Sequence, residues 1–180
     1  SKSVFGAARS ADGASTGWVF NSPLHLPESV SYPRVLPGVN TANLQITPAG
    51  TQADLQFVYE GTSSANDLET VWGLINTAVD ARAACYFAYY VPGNLLFLYP
   101  DDGNGAEAKS ILLAGNRTLS NSQCAISAEG ALVQTVGRQL ILTIPFRFPT
   151  DTGFRKGIWG AAKSLSSPQA SPWRILEAIP

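Results

Sequence analysis

Several stretches of this chain alternate apolar and polar positions with a period of two, and each predicts a strand with one buried face. Between Thr51 and Tyr59, Leu55, Phe57 and Tyr59 share one face, while Asp54, Gln56 and Val58 share the other. From Leu68 to Asn76, Val71, Gly73 and Ile75 lie on one face, and Trp72 and Leu74 on the other. Ala84 to Gly103 is the densest apolar stretch. It reads as strand, turn at Pro92-Gly93-Asn94, strand, then turn at Asp101-Asp102-Gly103. Proline presets φ in the first turn and Gly93 is placed to supply a positive φ. Apolar residues on both faces of this hairpin predict a central position, covered on both sides.

Shorter runs follow at Ser110–Ala114, Cys124–Ser127 and Ala131–Val136. Gly137 then turns the chain into Arg138–Phe148, where Leu140, Leu142, Ile144 and Phe146 alternate clearly. Pro145 predicts an edge or a bulge in the second half of that strand, because proline cannot donate to a ladder. Arg155–Lys163 and Trp173–Ile179 complete the set, and Thr77–Ala83 reads as a loop or a helical turn. About eight to ten short strands separated by turn signals predict an all-β antiparallel sandwich.

Residues 1–40 follow a different pattern. Short apolar words, Ser3-Val4-Phe5 and Gly17-Trp18-Val19-Phe20, precede a tract containing Pro23, Pro27, Pro33 and Pro37. Proline at that density excludes a helix and favours extended chain. The expected organisation is an extended Pro-rich N-terminal arm, residues 1–40, in front of a β-sandwich domain, residues 41–180. Residues 21–40 as polyproline II would span about 60 Å.

Composition narrows the function classes. Charged residues make up 14% of 180 and the formal net charge is −1, against about 25% charged in an average domain. A nucleic-acid partner recruited by charge is therefore not expected. No run reaches the length of a membrane span. The chain has no methionine and opens at Ser1, which suggests a processed product or a piece of something longer. Cys85 and Cys124 are the only cysteines. In an oxidising compartment such a pair forms one disulfide; in the cytosol it would be two buried thiols.

The words Leu55-Gln56-Phe57-Val58-Tyr59, Val71-Trp72-Gly73-Leu74-Ile75-Asn76, Ala84-Cys85-Tyr86-Phe87-Ala88-Tyr89-Tyr90, Asn94-Leu95-Leu96-Phe97-Leu98-Tyr99 and Asn121-Ser122-Gln123-Cys124 occur in an order that resembles an Ig-like or fibronectin-like module recurrent in large secreted proteins of soil and aquatic bacteria. Gly157-Ile158-Trp159-Gly160-Ala161-Ala162 and the closing strand with Trp173 fit the same pattern. The resemblance spans roughly three quarters of the chain and rests most on the two cysteine words. It implies an Ig-like antiparallel β-sandwich, an extracellular location, a disulfide between Cys85 and Cys124, and no catalysis. The private N-terminal arm departs from the family pattern.

Candidate chemistry is sparse. His25 is the only histidine and stands in the Pro-rich arm without a nucleophile word beside it, so it reads as a loop residue. Asp101, Asp102, Asn104 and Glu107 place oxygens close together, but the twelve-residue calcium-loop spacing is missing and a plain turn is expected. No spacing marks two of the acids as glycosidase partners. No enzyme, metal or cofactor is therefore expected. Asn116-Arg117-Thr118 is the only N-x-S/T sequon, making Asn116 a possible glycosylation site in a host with that machinery. Trp18 and Trp173 are the candidates for an exposed sugar-stacking platform, whereas Trp72 and Trp159 are expected in the core.

Two functions from different classes follow. In the first, the chain is a non-catalytic extracellular structural protein that assembles head-to-tail with copies of itself. Val4, Phe5, Trp18, Val19 and Phe20 of the arm would fill pockets as the arm adds a strand to a neighbouring subunit, building a filament or closed oligomer. In the second, it is a carbohydrate-binding or adhesive module of a larger secreted protein, with polysaccharide as its partner.

Overall fold

Leu55, Phe57 and Tyr59 point to the same side as Leu140, Leu142, Ile144 and Phe146 of a neighbouring strand, and all seven are buried. These residues form one wall of the core in the computed structural model, which describes residues 2–6, 19–24, 33–36, 38–47, 50–149 and 156–178. The chain separates into two units, Ser1–Ser31 and Tyr32–Pro180.

In the first unit, β1 (Lys2–Gly6) pairs antiparallel with β2 (Val19–Leu24), a two-stranded sheet among the described residues. Val4 is paired with Ser22 and Phe5 with Phe20, and Pro23 lies within β2. Trp18 and His25 lie outside the described residues.

The second unit is an all-β antiparallel sandwich of two sheets. The seven-stranded sheet is centred on β5 (Gly50–Glu60) and β13 (Gln139–Phe148). One side of β5 carries β3 (Arg34–Val35) and β4 (Asn40–Thr47). The far side of β13 carries β12 (Leu132–Val136) and β11 (Ala125–Ser127), and β10 (Thr118–Ser120) pairs with β11. The six-stranded sheet runs β15 (Arg174–Ala178), β14 (Gly157–Ser164), β6 (Leu68–Asn76), β7 (Cys85–Tyr90), β8 (Leu95–Leu98) and β9 (Lys109–Leu112).

Aromatic side chains join the two sheets. Phe87 of β7 meets Phe57 of β5 and Phe146 of β13 edge-on, with ring centroids 5.2 and 5.5 Å apart. That geometry suits the ring quadrupole and adds to burial. Gly73 leaves room for Phe87: a Cβ there would overlap the Phe87 ring, so any side chain would displace it. The buried Tyr59 hydroxyl donates to the Trp72 carbonyl at 3.2 Å, linking β5 to β6.

A covalent tie reinforces this packing. Cys85 at the start of β7 and Cys124 just before β11 form a disulfide with Cα atoms 5.5 Å apart, so it joins one sheet to the other. Asn121 supports it. Its side-chain amide donates to the carbonyls of Ala84 (2.9 Å) and Tyr99 (3.0 Å), and its oxygen accepts from the backbone N–H of Gln123 (2.9 Å) and Cys124 (3.0 Å). All four hydrogen bonds fix the approach to Cys124 against the strand ends of the opposite sheet.

Two local expectations are corrected. β13 runs between β5 on one side and β11 and β12 on the other, unbroken through Pro145, which pairs with Asp54. β11 pairs as far as Phe146 and β12 begins at Thr143; that interval leaves no ladder for the missing N–H to break. In the β7–β8 turn the positive φ falls on Asn94, not on Gly93. Gly93 serves space instead, since a Cβ there would come within 2.9 Å of the Tyr90 ring. Asparagine tolerates the left-handed region better than most residues.

Candidate binding face

Six strands of alternating apolar residues give the second sheet two apolar faces, and only one can face the core. Gly73 and Phe87 settle which, because they pair on the inner face. Trp72 therefore points outward. In register, one outer row runs Ile175, Trp159, Leu74, Tyr86 and on to Tyr99, whose N–H donates to the Tyr86 carbonyl. The next runs Ala161, Trp72, Ala88, Phe97 and Ser110. A third runs Lys163, Thr70, Tyr90, Leu95 and Leu112.

These rows overturn the expected core positions of Trp72 and Trp159. Both are half-buried on the outer face and absent from the core between the sheets. The β7–β8 hairpin is likewise covered by the opposing sheet on one side only, and its other side is this aromatic surface. Three small or aliphatic members of the rows, Leu74, Ala88 and Ala161, are each 2% exposed. Each stands next to larger rings in its row.

The rings are arranged in two ways. Tyr86 and Tyr99 stack with centroids 3.8 Å apart and planes 13° apart, and Trp173 meets Tyr86 edge-on at 5.9 Å. Burial, and then the neighbouring Tyr99, push the Tyr86 phenol above its ordinary pKa. Trp159 lies back along its own strand, its benzo ring over Gly157, where a Cβ would come within 2.6 Å of the ring. Among the described residues, Trp72, Trp159 and Phe97 stack on no other ring. Lys163 is the only ionised side chain in the three rows, and Glu69 pairs with it at 2.7 Å. The result is a nearly uncharged aromatic face that carries phenol groups at Tyr86, Tyr90 and Tyr99 and hydroxyls at Thr70 and Ser110.

Other sequence candidates fall elsewhere. Trp173 joins the face through Tyr86. Asp101 accepts from the N–H and hydroxyl of Ser122, Asp102 accepts from the Asn104 N–H, and Asn104 caps Ala106 and donates to Glu107. The acidic stretch is thus a hydrogen-bonded turn, with Gly103 at φ 75°. Among the described residues, no group of three His, Cys, Asp or Glu side chains lies close enough to hold a metal ion. Asn116 is exposed between β9 and β10. Val4, Phe5, Val19 and Phe20 lie on the paired strands β1 and β2.

Comparison with protein-family models, with curated proteins and with solved structures finds no match for this chain.

Proposed function

We propose that the chain is a non-catalytic module of a secreted protein that holds an uncharged polysaccharide along the outer face of its six-stranded sheet. The observation that carries this reading is the set of aromatic rows on that face, with Trp72, Trp159 and Phe97 stacked on no other ring among the described residues. Pyranose rings have apolar C–H faces that pack on aromatic rings, and their hydroxyl edges seek donors and acceptors such as phenols and amides. The near absence of charge suits a neutral glycan better than an anionic one. The inter-sheet disulfide supports an extracellular location, because such bonds persist in oxidising compartments. Affinity electrophoresis through gels holding neutral polysaccharides tests the reading. Retardation by at least one neutral glycan is expected; unretarded migration across plant and bacterial polysaccharides overturns it.

One observation favours a second reading, in which the N-terminal unit assembles copies into a filament or oligomer. Among the described residues β1 and β2 form a two-stranded sheet, and such a sheet is marginal in water unless further strands or a packing surface support it. Adding it to a sheet edge of a neighbouring subunit supplies that support. Removing residues 1–31 would then abolish self-association, and association that survives the deletion rejects this reading.

A further inference from the structure

Sheet edges expose unpaired backbone groups, and folded proteins blunt them with charge, bulges, proline or shortness. Most edges of this sandwich are blunted in one of these ways. β4 carries a bulge between Ala42 and Gln45, with Asn43 at positive φ. β3 and β10 span only two and three residues. β9 begins with Lys109, and β15 contains Arg174 and Glu177. β12, Leu-Val-Gln-Thr-Val, is different. It is five residues long, uncharged and free of proline, and it pairs with β13 without a register shift. Leu132 and Val136 are 50% and 62% exposed.

The backbone of β12 shows which groups are free. A two-residue turn, Gly137-Arg138, joins Val136 to Gln139, with Gly137 at φ 59°. The pair flanking such a turn is hydrogen-bonded, and bonded and non-bonded pairs then alternate along the ladder. Val136, Gln134 and Leu132 therefore point their N–H and C=O groups at β13. Val133 and Thr135 point theirs outward, where β12 has no other partner strand among the described residues.

We propose that β12 is the site at which two copies of this chain join, edge to edge, in a two-fold symmetric dimer. The strand is self-complementary about Gln134. Antiparallel pairing centred there sets Val133 opposite Thr135 of the second copy, and the outward groups of each are matched in hydrogen-bonded pairs. It also sets Leu132 opposite Val136, so the two exposed apolar side chains of each copy cover one another. Gln134 faces its own counterpart. A two-fold axis satisfies every outward group without leaving a new edge on this side of the sheet, which is why closed dimers predominate among such contacts. A single five-residue strand pair forms a smaller contact than the ~1,600 Å² typical of tight complexes, so the dimer is weak and concentration-dependent.

Sedimentation equilibrium of the full chain from about 10 μM to about 1 mM, a range that resolves weak association, tests the proposal. The expected result is a monomer–dimer equilibrium. Gln134→Lys and Gln134→Glu each place like charges opposite each other and are expected to weaken association at least tenfold. An equimolar mixture of the two variants is expected to recover it as a heterodimer, detected by native mass spectrometry. Thr135→Pro removes an outward donor while sparing the ladder to β13, and is expected to leave a monomer with unchanged far-UV circular dichroism. A monomeric wild-type chain at 1 mM, dimerisation undisturbed in the Gln134 variants, no recovery on mixing, or open-ended oligomers would each overturn the proposal. Glycan retardation of the monomeric variants is read separately, because β12 is not part of the six-stranded sheet.

Discussion

Replacing Asn121 with alanine removes one side chain and four hydrogen bonds, each 2.9 or 3.0 Å long. Two of the groups left behind belong to Ala84 and Cys124, which are 0% and 2% exposed. Water therefore does not readily replace the lost partner there. A neutral hydrogen bond contributes a net ~1 kcal/mol, and an abandoned buried group costs about 1–3 kcal/mol. The half-buried Asn121 site tempers the sum, and a loss of about 3 kcal/mol is expected for Asn121→Ala. For a domain of this size that lowers Tm by about 6–12 °C. Asn121→Asp is a sharper probe. It keeps the acceptor for Gln123 and Cys124 but turns a second oxygen toward the carbonyls of Ala84 and Tyr99. The charged form is disfavoured in the folded state, so the aspartate pKa is raised there, and the deficit against wild type shrinks as pH falls and the carboxyl becomes a donor. Urea unfolding followed by fluorescence, at pH 7 and pH 4, measures both variants. A loss under 1 kcal/mol for Asn121→Ala, or a deficit for Asn121→Asp that does not change with pH, would refute the reasoning.

The Cys85–Cys124 bond closes a loop with a sequence separation of 39 residues, so the chain-entropy account gives it ~4 kcal/mol; reduction is expected to lower Tm by about 8–16 °C, and non-reducing peptide mapping should find the linked pair and no alkylatable thiol. Burial raises the phenol pKa of Tyr59, and burial followed by the neighbouring Tyr99 raises that of Tyr86. A group with a raised folded pKa contributes stability that is present in full below its unfolded value, near 10 for tyrosine, and declines as pH rises beyond it toward the folded pKa. Ultraviolet titration of the folded protein should therefore show at least two phenols un-ionised at a pH where the urea-unfolded chain has ionised all of them, and simultaneous ionisation in both states would contradict this burial.

Most of the sandwich was legible because its strands alternate strictly. Val71-Gly73-Ile75 and Leu140-Leu142-Ile144-Phe146 separate their faces in sequence as they do in space. Three strands gave no such signal. β3 has two residues, β4 is exposed on both faces, and β10 buries only Leu119. Alternation also left open which face of β6 is inner, since Val71, Gly73 and Ile75 are matched by Trp72 and Leu74. Trp72 and Trp159 both stand within apolar strands, and that setting misplaced them in the core. The available clue was Gly73, a residue small enough to admit Phe87 from the adjacent strand, but recognising it required the β6–β7 register. Pro145 misled for a related reason: its cost depends on whether a partner strand lies beside it, and the interval between β11 and β12 cannot be read from the strand itself. The significance of Asn121 was visible only as a word next to Cys124, because two of its four partners, Ala84 and Tyr99, lie at strand ends of the other sheet.

Tryptophan fluorescence titration with a neutral polysaccharide that retards the protein in gels tests the aromatic face most directly. Wild type is expected to show a saturable change in emission, and Trp72→Ala and Trp159→Ala are each expected to weaken binding about tenfold, the equivalent of ~1.4 kcal/mol for one lost stacking ring, with an unchanged far-UV circular dichroism spectrum and a modest fall in Tm, because both rings are half-buried beside Leu74, Ala88 and Ala161. Equal affinity in wild type and both variants would place the glycan elsewhere and contradict the account.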